Sequence, residues 1–122
     1  MALRVLVVDD SADTADSSAV LLKLWGHDVR VARSGPEAVT VAAEFTPQVA
    51  LVDLMMPGMN GYEVGRRLSQ EQPNIVLIAV TGLAGEEHRR RWQETGFFIR
   101  LVKPADPEQL RQLLEALTQP VG

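Results

Sequence analysis

The stretch Leu3-Arg4-Val5-Leu6-Val7-Val8-Asp9-Asp10-Ser11 decides the fold. Its nearly continuous apolar run predicts a strand over residues 3–8, of the kind buried on both faces of a parallel sheet. Two carboxylates follow at once, and Ser11 can cap a helix that continues to about Trp25. A strand that leads directly into a helix indicates the first half of a β–α–β unit.

The same alternation continues along the chain. Further strands are predicted over residues 28–32, 49–52, 75–80 and 97–102. Further helices are predicted over residues 34–45, 60–69, 85–95 and 106–117, and Ser34 and Glu37 have the spacing of a capping box at the start of the first of these. The helix over 85–95 has Trp92 as its only large apolar residue, so we expect it to pack most loosely. Five strands alternating with five helices predict an α/β fold with a parallel sheet.

The composition of the strands predicts their order. The first, third and fourth strands are the most continuously apolar, as central strands should be. Arg30 and Arg100 interrupt the second and fifth strands, which is typical of edges. Right-handed crossovers then predict a flavodoxin-like, doubly wound sheet of five parallel strands in the order 2-1-3-4-5. We expect a single domain over residues 1–122.

Composition excludes several function classes. The absence of cysteine excludes disulfides, zinc–thiolate sites, iron–sulfur clusters and a cysteine nucleophile. The formal net charge of −4 argues against direct nucleic-acid binding. No apolar run approaches the roughly 20 residues that a membrane helix needs, and no signal peptide is visible at the start. We therefore expect a cytoplasmic protein without a membrane partner.

Three aspartates are predicted to meet at one point. In a sheet of this order, ligands bind beyond the carboxyl ends of the strands, at the switch between the first and third strands. Asp9 and Asp10 follow the first strand and Asp53 follows the third. Like charges this close repel one another unless a cation joins them, and carboxylate oxygens suit Mg²⁺ or Mn²⁺.

Two further side chains are predicted at the same edge. Thr81 follows the fourth strand and Lys103 the fifth. A hydroxyl and an ammonium group there suit a phosphoryl group. Three aspartates and one lysine carry −2, which one Mg²⁺ neutralises, so that a phosphoryl group of about −2 charge meets no net repulsion.

Four segments in this order resemble a known family. They are Leu6-Val7-Val8-Asp9-Asp10-Ser11, the loop from Val52 to Gly61 (VDLMMPGMNG), Ala79-Val80-Thr81-Gly82 and Leu101-Val102-Lys103-Pro104. Together they resemble the response-regulator receiver domain of two-component signalling, and the similar segments 53–62 and 96–110 point to receivers of hybrid histidine kinases. The resemblance extends over residues 3–118.

The resemblance implies a metal site and an acceptor. Asp53 would be the phosphoacceptor. Asp10 and Asp53 would bind Mg²⁺ directly, Asp9 would act largely through water, and the backbone carbonyl of Met55 would be a further ligand.

The resemblance also implies partners and a reaction. A histidine kinase or a histidine phosphotransfer domain would donate the phosphoryl group, and a downstream effector protein would respond to it. Lys103 would pair with the phosphoryl group and Thr81 would hydrogen-bond to it. We expect no enzyme with a separate substrate, only self-phosphorylation and slow hydrolysis of the aspartyl phosphate. The hydrolysis should be slow because the apolar side chains of Met55 and Leu83 would flank the path of the attacking water.

Arg100 departs from the family pattern. An aromatic residue or histidine often stands three residues before the lysine, and its ring moves together with the threonine. Here arginine occupies that position. It either pairs with an acid on a partner or caps an edge strand.

Three other classes compete with the receiver interpretation. A haloacid-dehalogenase-like phosphatase needs a second aspartate two residues after its nucleophile, but alanine stands two residues after Asp10. A flavodoxin needs a hydroxyl-rich phosphate loop, where this chain has two aspartates that repel phosphate. A phosphorylation-independent interaction module is disfavoured by the intact set of site residues.

Overall fold

The computed structural model describes residues 2–56, 58, 61–82, 96–102 and 105–118. The strands are β1 (Arg4–Val8), β2 (Asp28–Ala32), β3 (Val49–Asp53), β4 (Val76–Thr81) and β5 (Phe97–Val102). The described helices are α1 (Ala12–Leu24), α2 (Gly35–Phe45), α3 (Gly61–Glu71) and α4 (Pro107–Thr118). The described part of the chain thus has four helices rather than five, and the helix predicted over residues 85–95 lies outside it.

The strands form one parallel sheet in the order β2-β1-β3-β4-β5. This confirms the predicted strand order and the flavodoxin-like winding. The arginine-containing strands β2 and β5 are the edges, while every residue of β3 is buried. The alternation of charge therefore distinguished edge strands from central strands correctly.

Helices cover both faces of the sheet. Helices α2 and α3 pack on one face, which we call the α2–α3 face, through residues that include Ala42 and Leu68. Helices α1 and α4 pack on the other, the α1–α4 face, through residues that include Leu22 and Leu114. None of the described helices has the length and apolar character needed to cross a bilayer.

The helix ends follow the predicted chemistry. The Ser11 hydroxyl accepts the backbone N–H of Thr14, and Ser34 accepts that of Glu37 at 3.2 Å. Gly26 follows the end of α1 with φ of +92°, a conformation that glycine adopts without strain. The capping box at Ser34 is incomplete, because the Glu37 carboxylate accepts the N–H of Arg33 at 3.4 Å instead of that of Ser34.

Strands β3 and β4 each extend one residue further than the apolar pattern predicts. Asp53 pairs with Val80 and Thr81 pairs with Val102 in the parallel ladders. Backbone pairing continues past the last apolar side chain because the ladder depends on peptide groups rather than on side-chain polarity. Both polar side chains are consequently held by regular strand backbone.

Candidate functional site

Three carboxylates converge beyond the ends of β1 and β3. One oxygen from each of Asp9, Asp10 and Asp53 lies within 4.8 Å of the others. Asp9 and Asp53 are each only 5% exposed, whereas Asp10 is exposed. The topology therefore brings together the three aspartates predicted to meet, with two side chains enclosed by protein and one facing solvent.

Asp9 is fixed by its neighbours in sequence and in space. Its Oδ1 atom accepts the backbone N–H of Ser11 at 2.9 Å. Its own N–H donates to the carbonyl of Ala32, at the end of β2, at 3.0 Å. The start of α1 and the end of β2 together set the direction of this carboxylate.

Asp53 is fixed from the loop that follows it. Its Oδ1 atom accepts the N–H of Met55 at 2.9 Å. The next residue, Leu54, donates its N–H to the carbonyl of Val80 at 3.2 Å and accepts the N–H of Gly61 at 3.3 Å. The loop is thus tied to both β4 and α3.

Gly61 lets α3 approach this loop closely. A Cβ atom at Gly61 would lie 2.4 Å from the backbone oxygen of Asp53 and 2.5 Å from the Cα of Leu54. Such distances exclude any side chain unless the backbone shifts. The sequence analysis placed Gly61 in a motif but missed this positioning role. The available signal was a glycine at the first position of a helix, where a side chain is normally tolerated.

The remaining predicted site residues differ in burial, and two of them are not described by the structure. Thr81 ends β4 with 1% exposure, one position beyond the residue that pairs with Asp53. The side chain of Met55 is 60% exposed, and its backbone N–H donates to the carboxylate of Asp53. Lys103 and Leu83 lie outside the described residues.

Arg100 lies in edge strand β5, opposite Ala79 of β4. It is half-buried, and its Nη1 atom is buried without a hydrogen-bond partner within the described residues. A buried, unpaired guanidinium nitrogen is costly.

The donor set fits a hard divalent cation. All three side chains offer carboxylate oxygens, which Mg²⁺ and Mn²⁺ prefer over nitrogen or sulfur ligands. The exposure of Asp10 leaves room for water, and Mg²⁺ retains several waters in protein sites.

Comparisons with known proteins agree with this geometry. The family model described as the response regulator receiver domain matches residues 5–115. Protein PilH of Pseudomonas aeruginosa is 30% identical over 116 residues, which cover 93% of this chain and 96% of PilH. Response regulator PleD of Caulobacter vibrioides is 34% identical over 121 residues, which cover 98% of this chain and 27% of PleD.

Solved structures extend the match to three dimensions. The chemotaxis protein CheY4 of Vibrio cholerae superimposes with a TM-score of 0.90 at 27% identity, covering 95% of this chain and 98% of that one. The chain spans about a quarter of the length of PleD but nearly all of PilH. The chain therefore belongs to the response-regulator receiver family of two-component signalling.

Proposed function

We propose that Asp53 accepts a phosphoryl group from a phosphohistidine on a histidine kinase or a histidine phosphotransfer protein. The observation that carries the proposal is the buried Asp53 carboxylate beside two further carboxylates at the switch point of the sheet. The phosphorylated chain then binds a downstream effector protein with altered affinity.

The transfer step needs positioning and charge neutralisation. An oxygen of Asp53 forms a bond to phosphorus while the N–P bond to the donor imidazole breaks, and the imidazole leaves with its electron pair. The N–H of Met55 donates to Oδ1 of Asp53 and so limits the rotation of this carboxylate. We assign the hydroxyl of Thr81 and the ammonium group of Lys103 to the oxygens of the transferred group.

Asp10, Asp53 and the carbonyl of Met55 would hold Mg²⁺ or Mn²⁺, with Asp9 acting through water. When bound, the cation supplies positive charge that offsets the phosphoryl oxygens. Asp9 suits the indirect role because its Oδ1 atom already accepts the N–H of Ser11.

The chain would catalyse only its own phosphorylation and a slow hydrolysis of the aspartyl phosphate. The exposed Met55 side chain offers no hydrogen bond with which to orient or deprotonate an attacking water. Met55→Asn should shorten the lifetime of the labelled protein, whereas Met55→Leu should leave it unchanged. An unchanged decay rate in Met55→Asn would remove Met55 from control of the lifetime.

Labelling with acetyl phosphate and Mg²⁺ tests the acceptor. Peptide mass spectrometry should place the label on Asp53 alone, and Asp53→Asn should abolish it. Asp16→Asn is the matched control, because Asp16 is an exposed acid on α1 outside the carboxylate cluster. Label retained by Asp53→Asn would refute the assignment. No label on the parent chain despite effector binding would favour a phosphorylation-independent interaction module.

Asp10→Asn tests the metal. We expect it to lose Mg²⁺ affinity, yet to melt in EDTA at no lower a temperature than the parent, because one like charge leaves the cluster. Isothermal titration and thermal denaturation measure the two effects. A large drop in melting temperature in EDTA would make Asp10 a structural residue instead.

A further inference from the structure

The chain that follows Asp53 alternates between buried and exposed side chains. Leu54 and Met56 are both buried and belong to the core of the α2–α3 face. The side chain of Met55, between them, is exposed. Its two buried neighbours therefore fix the backbone of Met55 and leave its thioether in contact with solvent.

Backbone hydrogen bonds place this thioether beside Asp53. The N–H of Met55 donates to Oδ1 of Asp53 at 2.9 Å. The preceding residue, Leu54, is bonded through its N–H to Val80 and through its carbonyl to Gly61. Because the N–H and the Cβ atom of Met55 are attached to the same Cα atom, its side chain begins next to the Asp53 carboxylate. A change in the polarity of this side chain is thus made beside the proposed acceptor.

We propose that peroxide oxidises Met55 to methionine sulfoxide, and that the sulfoxide shortens the lifetime of the phosphorylated chain. The sulfur gives an electron pair to one oxygen of hydrogen peroxide, an S–O bond forms and the O–O bond breaks. The other oxygen leaves as hydroxide and takes up the proton that the transferred oxygen gives up. The thioether is oxidised to the sulfoxide, and the peroxide is reduced to water.

The effect on lifetime rests on the proposed function, because it requires a phosphoryl group on Asp53. A thioether sulfur is a weak hydrogen-bond acceptor, whereas the sulfoxide group is polar. Its oxygen accepts a hydrogen bond from a water molecule and holds that water beside the aspartyl phosphate. The water oxygen bonds to phosphorus and the P–O bond to Asp53 breaks. The bonding electrons stay on the carboxylate, and both protons of the water leave with inorganic phosphate.

Met56 provides a comparison within the same loop. It carries the same thioether one residue further on but is only 6% exposed. Exposure governs how often a thioether meets peroxide, so Met55 should react before Met56. Met1 and Met59 lie outside the described residues. Variants of Met55, rather than the total uptake of oxygen, must therefore locate the effect.

Peroxide treatment of the unphosphorylated full chain tests the modification by itself. Peptide mass spectrometry, with fragment ions that separate Met55 from Met56, should show oxygen gained at Met55 at least about tenfold faster than at Met56. Equal rates at the two positions, or faster oxidation of Met56, would overturn the proposal.

Decay of labelled Asp53 tests the consequence. The peroxide-treated parent should lose its label about three- to tenfold faster than the untreated parent, the gain expected from one hydrogen bond. Met55→Gln should decay faster by a similar factor without peroxide, because its amide oxygen replaces the sulfoxide oxygen.

Two leucine variants are the controls for this decay. Peroxide should not change the decay rate of Met55→Leu, which lacks the thioether at this position. Met56→Leu should respond to peroxide as the parent does. An equal response of Met55→Leu and the parent would assign the effect to another methionine and overturn the proposal.

The two measurements separate this inference from the proposed function. If Asp53 is never labelled, the proposed function fails and the effect on lifetime fails with it, while the mass spectra still decide whether Met55 is the oxidised site. If Asp53 is labelled but fully oxidised Met55 leaves the decay unchanged, only the inference about lifetime fails.

Discussion

The two faces of the sheet differ in how closely their helices approach it. On the α2–α3 face, Gly61 and Gly65 bring α3 so close that a Cβ atom would collide with the Asp53 loop and with the ring of Phe97. On the α1–α4 face, small residues of α1 leave a cleft above the same strands. The first face fixes Asp53, the proposed acceptor, while the second leaves space beside it. A receiver needs both, because transfer requires a rigid acceptor and an accessible one.

The largest effect is expected on the closed face at Gly61. Gly61→Ala should lower the free energy of unfolding by about 2–3 kcal/mol, because its Cβ meets backbone that cannot give way cheaply. The displaced loop should also slow labelling of Asp53. Urea denaturation and labelling kinetics measure the two effects.

Gly82→Ala is the control for Gly61. Among the described residues, nothing lies within 4 Å of a Cβ built at Gly82, so the stability of Gly82→Ala should stay within about 0.5 kcal/mol of the parent. A loss at Gly61 no larger than that at Gly82 would contradict the close approach.

Gly65 gives a smaller effect on the same face. A Cβ there would lie 2.6 Å from Cε2 of the Phe97 ring. Gly65→Ala should cost about 1–2 kcal/mol, less than Gly61→Ala because a side chain can move where backbone cannot. Phe97→Leu should relieve part of this cost, giving a coupling energy in a double-mutant cycle. Strict additivity of the two substitutions would show that the ring is not the obstacle.

The open face should respond with the opposite sign. Ser18→Leu adds apolar volume over Leu51, Leu101 and Leu110, which line the cleft with Ser18. The substitution should raise the free energy of unfolding by about 0.5–1 kcal/mol. Denaturation in EDTA measures the gain. If Ser18→Leu instead lowered the free energy of unfolding as much as Gly65→Ala does, the helices of both faces would be packed equally closely against the sheet.

The smallest effect concerns the far end of the α1–α4 face. Leu3 donates its N–H to Nδ1 of His27 at 3.1 Å, and burial lowers the pKa of His27 below its usual 6.5. Because the unfolded chain takes up this proton first, stability is complete above about pH 6.5 and declines as the pH falls through the folded pKa. The loss should stay below about 1 kcal/mol, the size of one hydrogen bond.

Thermal unfolding between about pH 7 and pH 5 tests this. His27→Gln keeps a side-chain acceptor that does not titrate and should flatten the profile in that range. A profile with the parental slope in His27→Gln would assign the pH dependence to other groups.

The sequence predicted those features that depend on pattern along the chain. The continuous apolar strands and the arginines at positions 30 and 100 predicted the strand order. That order in turn predicted that Asp9, Asp10 and Asp53 lie close together. The helix caps at Ser11 and Ser34 follow from local hydrogen bonding, which neighbouring residues determine.

Other features depend on distances between elements and could not be predicted in this way. The contact of Gly61 with the Asp53 backbone is set by the depth at which α3 packs. The cleft depends on the combined volume of side chains from α1, the sheet and α4. Which backbone N–H the Glu37 carboxylate accepts depends on its side-chain rotamer, which no sequence pattern specifies. Periodicity predicts which face is buried, but it carries no information about how much space remains.

The bond from the Leu54 N–H to the Val80 carbonyl has a consequence for the order of folding. Leu54, which follows Asp53, is bonded to a strand that is synthesised well after it, and parallel strands can pair only across long crossover connections. Such non-local pairing makes closure of the ladder slow relative to formation of individual helices. A nascent chain that has displayed Asp9, Asp10 and Asp53 should still lack a competent acceptor until β4 docks. With Asp53 as the proposed acceptor, phosphorylation should therefore wait for a completed sheet.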